Sequence, residues 1–179
     1  MSPAPAAAEA DLVARARARD AVAFAELARR ARTQIFATCM SITGNHHDAE
    51  DALQEALTAA WQHIGAFDGR SRFSTWLHRI AANVSIDIVR RRRRVVPEDQ
   101  SEWELPAPGS SIGDRVADGD AVQRALAGLP DDFREALVLF EIGGLSYREL
   151  AEHQQVPVQT IKSRLFRARS MMRRGLAGP

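Results

Sequence analysis

Leu145-Ser146-Tyr147-Arg148-Glu149-Leu150-Ala151, followed by Val156-Pro157-Val158-Gln159-Thr160-Ile161-Lys162-Ser163-Arg164, reads as two short helices joined by a tight turn. Ser146 and Glu149 have the spacing of a capping box, which starts the first helix. Pro157 suits the first turn of the second, where its missing N–H is no loss. On a helical wheel Ile161, Leu165, Ala168 and Met172 share one face. Gln159, Ser163, Phe166 and Ser170 lie opposite, flanked by Lys162, Arg167 and Arg169. Val158 to Arg174 holds six basic residues and no acid. A helix of this kind fits the DNA major groove, with cations on phosphates and Gln or Lys on base edges. A charge run alone would indicate only a solvated face. The capping box, turn and acid-free face together point to DNA.

Working outward, helical periodicity continues through nearly the whole 179-residue chain, with no convincing alternating strand. The expected fold is all-α, two small helical domains joined by a flexible acidic linker. Residues 1–10 are Ala/Pro-rich, lack the basic-then-apolar order of a signal peptide, and are expected to be a disordered tail. The first domain spans 11–94. It comprises a short helix over Leu12–Arg19, a second capped by Asp20, a third from about Asp48 to Phe67, and a fourth from about Ser74 into the run Arg90–Arg94. Gly44-Asn45 and Asp68-Gly69 separate them. Residues 95–117 form the linker: Pro97 to Asp120 carries seven acids against one arginine, with little apolar content. The second domain spans 118–176, its helix opened by Pro130 closing at Gly143-Gly144.

Net charge is only +1, but the charge is segregated along the chain. No apolar stretch reaches the length of a membrane span. The single cysteine, Cys39, sits among Ile35, Phe36 and Ile42, as a packed core thiol would, and agrees with a reducing cytoplasm. His46-His47 beside Asp48 and Glu50 invites a metal reading, yet adjacent residues on a turn seldom converge on one ion. No nucleophile–base pair, Gly-rich phosphate loop or metal quartet appears, so neither an enzyme nor a metal or cofactor is expected.

Three stretches in order resemble the extracytoplasmic-function sigma factors of the bacterial sigma-70 family: Asp48-Ala49-Glu50-Asp51-Ala52-Leu53-Gln54-Glu55, Phe67-Asp68-Gly69-Arg70-Ser71-Arg72-Phe73-Ser74-Thr75-Trp76 through Asn83, and Leu129-Pro130-Asp131-Asp132-Phe133-Arg134 through Arg169. The resemblance implies that Asp48, Asp51, Gln54 and Glu55 contact core RNA polymerase. On the residues alone, the third helix simply carries an acidic face opposite its apolar stripe. It implies that Arg70, Ser71, Arg72, Trp76, Arg79 and Asn83 meet a −10 promoter element, where a flipped-out base needs a pocket and a basic surface. On the residues alone Trp76 reads more readily as core than as a stacking platform, and the five-arginine run as phosphate contacts or a solvated helix end.

At the −35 element the resemblance implies Lys162, Ser163, Phe166 and Arg169 in the groove, with Gln159 beside them. Arg148, Thr160, Arg164 and Arg167 are expected on phosphates. The linker acids and Trp103 are either a plain tether or a nucleic-acid mimic in the polymerase's RNA channel. Core RNA polymerase, promoter DNA and an anti-sigma factor are the implied partners, with no stable membrane association and a cytoplasmic location. A self-sufficient helix-turn-helix regulator and a metal-dependent hydrolase are the rival readings.

Overall fold

A computed structural model describes residues 5–95 and 115–177. Among these the chain is entirely helical: α1 Pro5–Arg17, α2 Ala21–Thr43, α3 His46–His63, a 3-10 turn Ile64–Ala66, α4 Phe73–Val95, α5 Arg115–Ala127, α6 Asp131–Glu141, α7 Tyr147–Gln154 and α8 Val158–Ala177. None of these helices is long and apolar enough to cross a membrane. The acids and Trp103 of the expected linker lie outside the described residues.

The helix ends follow from local chemistry. Asp20 caps α2, its carboxylate accepting the N–H groups of Val22 and Ala23 at 2.9 and 3.1 Å. Gly44 ends that helix in the left-handed region at φ 78°, where glycine carries no Cβ penalty. Asn45 then caps α3 by accepting from Asp48 N at 2.8 Å. After α6 the chain turns through Gly143, whose added Cβ would lie 2.7 Å from the Leu139 carbonyl oxygen, so only glycine fits.

Two differences from the sequence reading matter. First, α1 starts at Pro5, so Pro5–Ala10 is helix rather than tail. The run Ala6-Ala7-Ala8-Glu9-Ala10 has the strongest helix propensity available, and proline is well placed at a helix start. Second, α5 begins at Arg115, three residues inside the expected linker. Smaller shifts occur at α3, which stops at His63 before a 3-10 turn, and at Pro157, which precedes α8 rather than opening it.

Helices α1–α4 enclose one core around Ile35, Leu53, Ile64 and Leu77, each at most 1% exposed. Burying each such side chain contributes about 1.5–3 kcal/mol. Helices α5–α8 pack around Leu139, Leu145, Leu150, Ile161 and Leu165. This second core also takes in Ile42 of α2 and Ala82 and Ile86 of α4, so the two domains are docked. Arg134, only 4% exposed, fastens the contact. Its guanidinium donates to the carbonyls of Leu126, Ala127 and Leu129 around the end of α5, and to Ile42 O at 3.1 Å across the domain boundary. The acceptors belong largely to helix ends, which have no intrahelical partner.

Candidate nucleic-acid and polymerase interfaces

The segment after α3 is held by two anchors. Phe67 and Phe73 are 3% and 2% exposed, and with Trp76 they form a ring cluster with centroids 5.1–6.2 Å apart. Residues 68–72 arch between the anchors. Gly69 takes φ 76°, and Asp68 Oδ1 accepts the Arg70 N–H at 3.0 Å, closing a tight polar turn. The arch presents the exposed Arg70 and Arg72, with Ser71 partly covered. Trp76, Arg79 and Asn83 recur at helical spacing on α4, so one stripe runs upward from the loop. Asn83 is exposed and Trp76 half-buried. Trp76 packs on the core and also lines a cleft of about 610 Å³ with Arg70, Ser71 and Arg79.

The far wall of that cleft belongs to α7: Arg148, Glu149 and Glu152. Glu149 accepts the Ser146 N–H at 2.9 Å, while its own N–H reaches Ser146 Oγ at 3.3 Å, completing the capping box. Its carboxylate also lies 3.3 Å from the Arg79 guanidinium. Burial would raise the Glu149 carboxyl, but the Ser146 bonds and Arg79 outweigh it and hold it below the usual range.

The second site is the helix-turn-helix. Gln155 makes the turn in the left-handed region at φ 54°. Ile161, Leu165 and Ala168 are at most 1% exposed, as the wheel requires. Gln159, Lys162, Ser163, Phe166 and Arg167 face outward, Phe166 at 71% exposure. Such an apolar ring in water suits contact with a thymine methyl. Thr160 is half-covered beside Pro157. Arg148 is outward, 3.3 Å from Glu152. Arg169 is held by Glu141 at 2.8 Å and lies over the Phe140 ring at 5.2 Å. Phe140 in turn stacks on Tyr147, with centroids 5.1 Å apart. Sequence reading missed this platform, because its members are scattered over three helices.

Arg164 stands apart from the other expected phosphate contacts. It donates to Gln154 Oε1 at 2.7 Å and pairs with Asp132 at 2.9 Å. Gln154 Nε2 donates to Glu135 Oε2 and to the Asp132 carbonyl, and His153 Nε2 lies 2.9 Å from Glu135 Oε1. This network ties α6, the turn and α8 together. Its partners lie 10–32 residues apart in sequence, so no local motif announces it.

Sigma-70 region 2 matches residues 27–95, and Sigma-70 region 4 matches residues 119–172. The ECF RNA polymerase sigma factor SigW of Bacillus subtilis is 34% identical over 172 residues, covering 88% of this chain and 90% of that protein. The chain is an extracytoplasmic-function sigma factor of the sigma-70 family. SigM of Mycobacterium tuberculosis is 36% identical over 169 residues, covering 93% of this sigma factor and 83% of that one. Among solved structures, CnrH in complex with the cytosolic domain of CnrY superposes with a TM-score of 0.70 at 26% identity, covering 95% and 97% of the two chains. The sigma factor RpoE of Bartonella quintana, in complex with the anti-sigma factor NepR, also gives 0.70, at 29% identity over 86% of this chain and 96% of that one.

In this sigma factor the four residues expected to contact polymerase do not form a uniform face. Asp51, Gln54 and Glu55 are exposed along α3. Asp48 has a side chain only 18% exposed, bonded to Asn45 Nδ2 at 2.7 Å and Arg92 Nη1 at 2.9 Å. Glu55 lies 3.3 Å from Arg91. The arginine run therefore reaches back onto the acidic face. His46 and His47 lie 3.7 Å from Glu50 and Asp51 respectively. Among the described residues no group of three or more potential ligands is placed to hold a metal.

Proposed function

We propose that this sigma factor is the promoter-specificity subunit of a bacterial RNA polymerase. It engages core polymerase through Asp51, Gln54 and Glu55, with Asp48 bracing the start of α3. It receives the −10 strand between the 68–72 arch and the Trp76–Arg79–Asn83 stripe. It reads the −35 element with Gln159, Lys162, Ser163, Phe166 and Arg169 in the groove, while Arg148, Thr160 and Arg167 hold flanking phosphates. Arg164 supports this surface from behind. Its work is recognition, without catalysis, and its place is the cytoplasm, where an anti-sigma factor of the kind bound by the Bartonella quintana protein controls it.

The observation that carries this reading is the pairing of two nucleic-acid surfaces of different character in one chain. One is an arched loop carrying the exposed Arg70 and Arg72 beside the Trp76–Arg79–Asn83 stripe, suited to an unstacked strand. The other is an acid-free helix with an apolar, groove-facing Phe166, suited to duplex. A stand-alone regulator has use only for the second. The test is transcription by core polymerase from a promoter library with and without the protein. Protein-dependent transcripts sharing −35 and −10 sequences are expected. No transcription, with tight duplex binding by the protein alone, would favour the stand-alone regulator.

A further inference from the structure

The 68–72 arch follows α3 and the short 3-10 turn and runs into α4, and α1 with the turn after it finishes the end of α3 and the start of α4. On one side Arg19 donates to the carbonyls of Trp61 at 2.8 Å and Gln62 at 3.2 Å, in the last turn of α3. These are among the carbonyls a helix end leaves without an internal partner. The same guanidinium lies 5.5 Å from the Trp61 ring centroid. On the other side Glu9 Oε1 accepts the N–H of Phe73, the first residue of α4, at 3.3 Å. The residue before Phe73 is Arg72, whose side chain has no acceptor. The cap therefore comes from 64 residues away, with a negative charge at the positive end of the helix.

Two further observations single these residues out. Arg19 is in the left-handed region at φ 68°, a strained conformation for a side chain that only glycine adopts freely. Its guanidinium is nonetheless engaged on two α3 carbonyls and over the Trp61 ring. And α1 precedes residue 27, where the matched Sigma-70 region 2 begins, so the clamp lies outside the segment that the family match covers.

We infer that Glu9 and Arg19 are positioning residues for −10 capture: Glu9 on α1 and Arg19 in the turn after it grip the start of α4 and the end of α3, and hold the 68–72 arch between them in its strand-receiving shape. The inference rests on the reading that this arch receives the −10 strand. Releasing either end lets the arch sample other conformations, and the apparent affinity falls with the fraction remaining competent.

The test uses holoenzyme assembled from core polymerase and the full chain. The probe is a fluorescent single-stranded oligonucleotide carrying the −10 sequence recovered from the transcription experiment, and −35 duplex binding and thermal unfolding of the free protein are measured in parallel. Glu9→Ala and Arg19→Gly are each expected to weaken capture roughly five- to tenfold, the scale of losing one or two hydrogen bonds. Binding to −35 duplex should be unchanged. Arg19→Gly relieves backbone strain as it removes the guanidinium, so its Tm should stay near that of the parent. Glu9→Gln keeps an acceptor of the same reach and should restore most of the affinity.

Asn83→Ala and Arg72→Ala serve as controls on the underlying reading. If they weaken capture while Glu9→Ala and Arg19→Gly do not, the clamp is overturned. If none of the four matters, the −10 reading itself fails and the inference with it. A parallel fall in −10 capture, −35 binding and Tm would reduce α1 to a folding element and likewise overturn the inference.

Discussion

Replacing Arg164 and Arg167 with alanine, one at a time, separates two roles that adjacent turns of α8 assign to the same residue type. Arg167 faces outward. Removing one phosphate contact reduces the slope of log K against log salt by about 0.9. Over a fourfold rise in salt, from 50 to 200 mM, Arg167→Ala should therefore lose about 3.5-fold less affinity for −35 duplex than the parent does. Arg164 instead spends its donors on Gln154 Oε1 and Asp132. Its removal leaves a partly buried amide oxygen without its donor, at a cost of about 2 kcal/mol. For a chain of this size that is a fall in Tm of ~4–8 °C, with the salt slope unchanged. The assay is a salt titration of holoenzyme binding to −35 duplex, beside thermal unfolding of the free protein. A slope reduced by about one in Arg164→Ala, with no change in Tm, would refute the assignment and return Arg164 to the DNA.

Three other outcomes follow from the geometry. His78 is 2% exposed, with Nδ1 2.8 Å from Thr38 Oγ1, and burial pushes its pKa down to about 4. The unfolded chain, with histidine near 6.5, then binds the extra proton first. Stability should be complete above about pH 6.5 and fall by up to ~3 kcal/mol towards pH 4, in a denaturation profile that His78→Gln flattens over that window. Ser146→Ala opens the capping box and should cost about 1 kcal/mol in urea unfolding. Burial pushes the Cys39 thiol, fully enclosed, up to about 11, so a thiol reagent at pH 8 should label it only after unfolding.

What the sequence made legible was whatever is encoded within one or two helical turns. Asp20 and the Ser146–Glu149 pair are caps whose partners lie two or three residues away, and both form as their spacing implies. The buried stripe of α8 follows from a period of 3.6 applied to Ile161, Leu165 and Ala168. Arg164 escaped because its identity says only that it is a cation, and what it meets is decided by Asp132 on another helix. Glu9 escaped for the same reason. An alanine-rich start looks like a tail until the N–H of Phe73 gives its one acid a purpose. The docking of the two domains through Ile42, Ala82 and Ile86 was hidden because those residues read as ordinary core positions of their own helices.

That docking makes promoter engagement a coupled equilibrium. The −35 and −10 elements lie roughly 25 base pairs apart, about 85 Å at 3.4 Å per step. In the docked chain Arg79 of the proposed −10 stripe and Arg148 of the proposed −35 surface line one cleft. On the proposed function, surfaces that adjoin in this way cannot occupy both elements together, so the shared core must part first. Parting it uncovers Ile42, Ala82 and Ile86 and takes Ile42 O away from Arg134. Whatever holds the domains open, polymerase included, then binds with its intrinsic strength reduced by the opening free energy. By the same linkage, substitutions at Ile86 that weaken the shared core should raise the apparent affinity for whatever holds the domains apart.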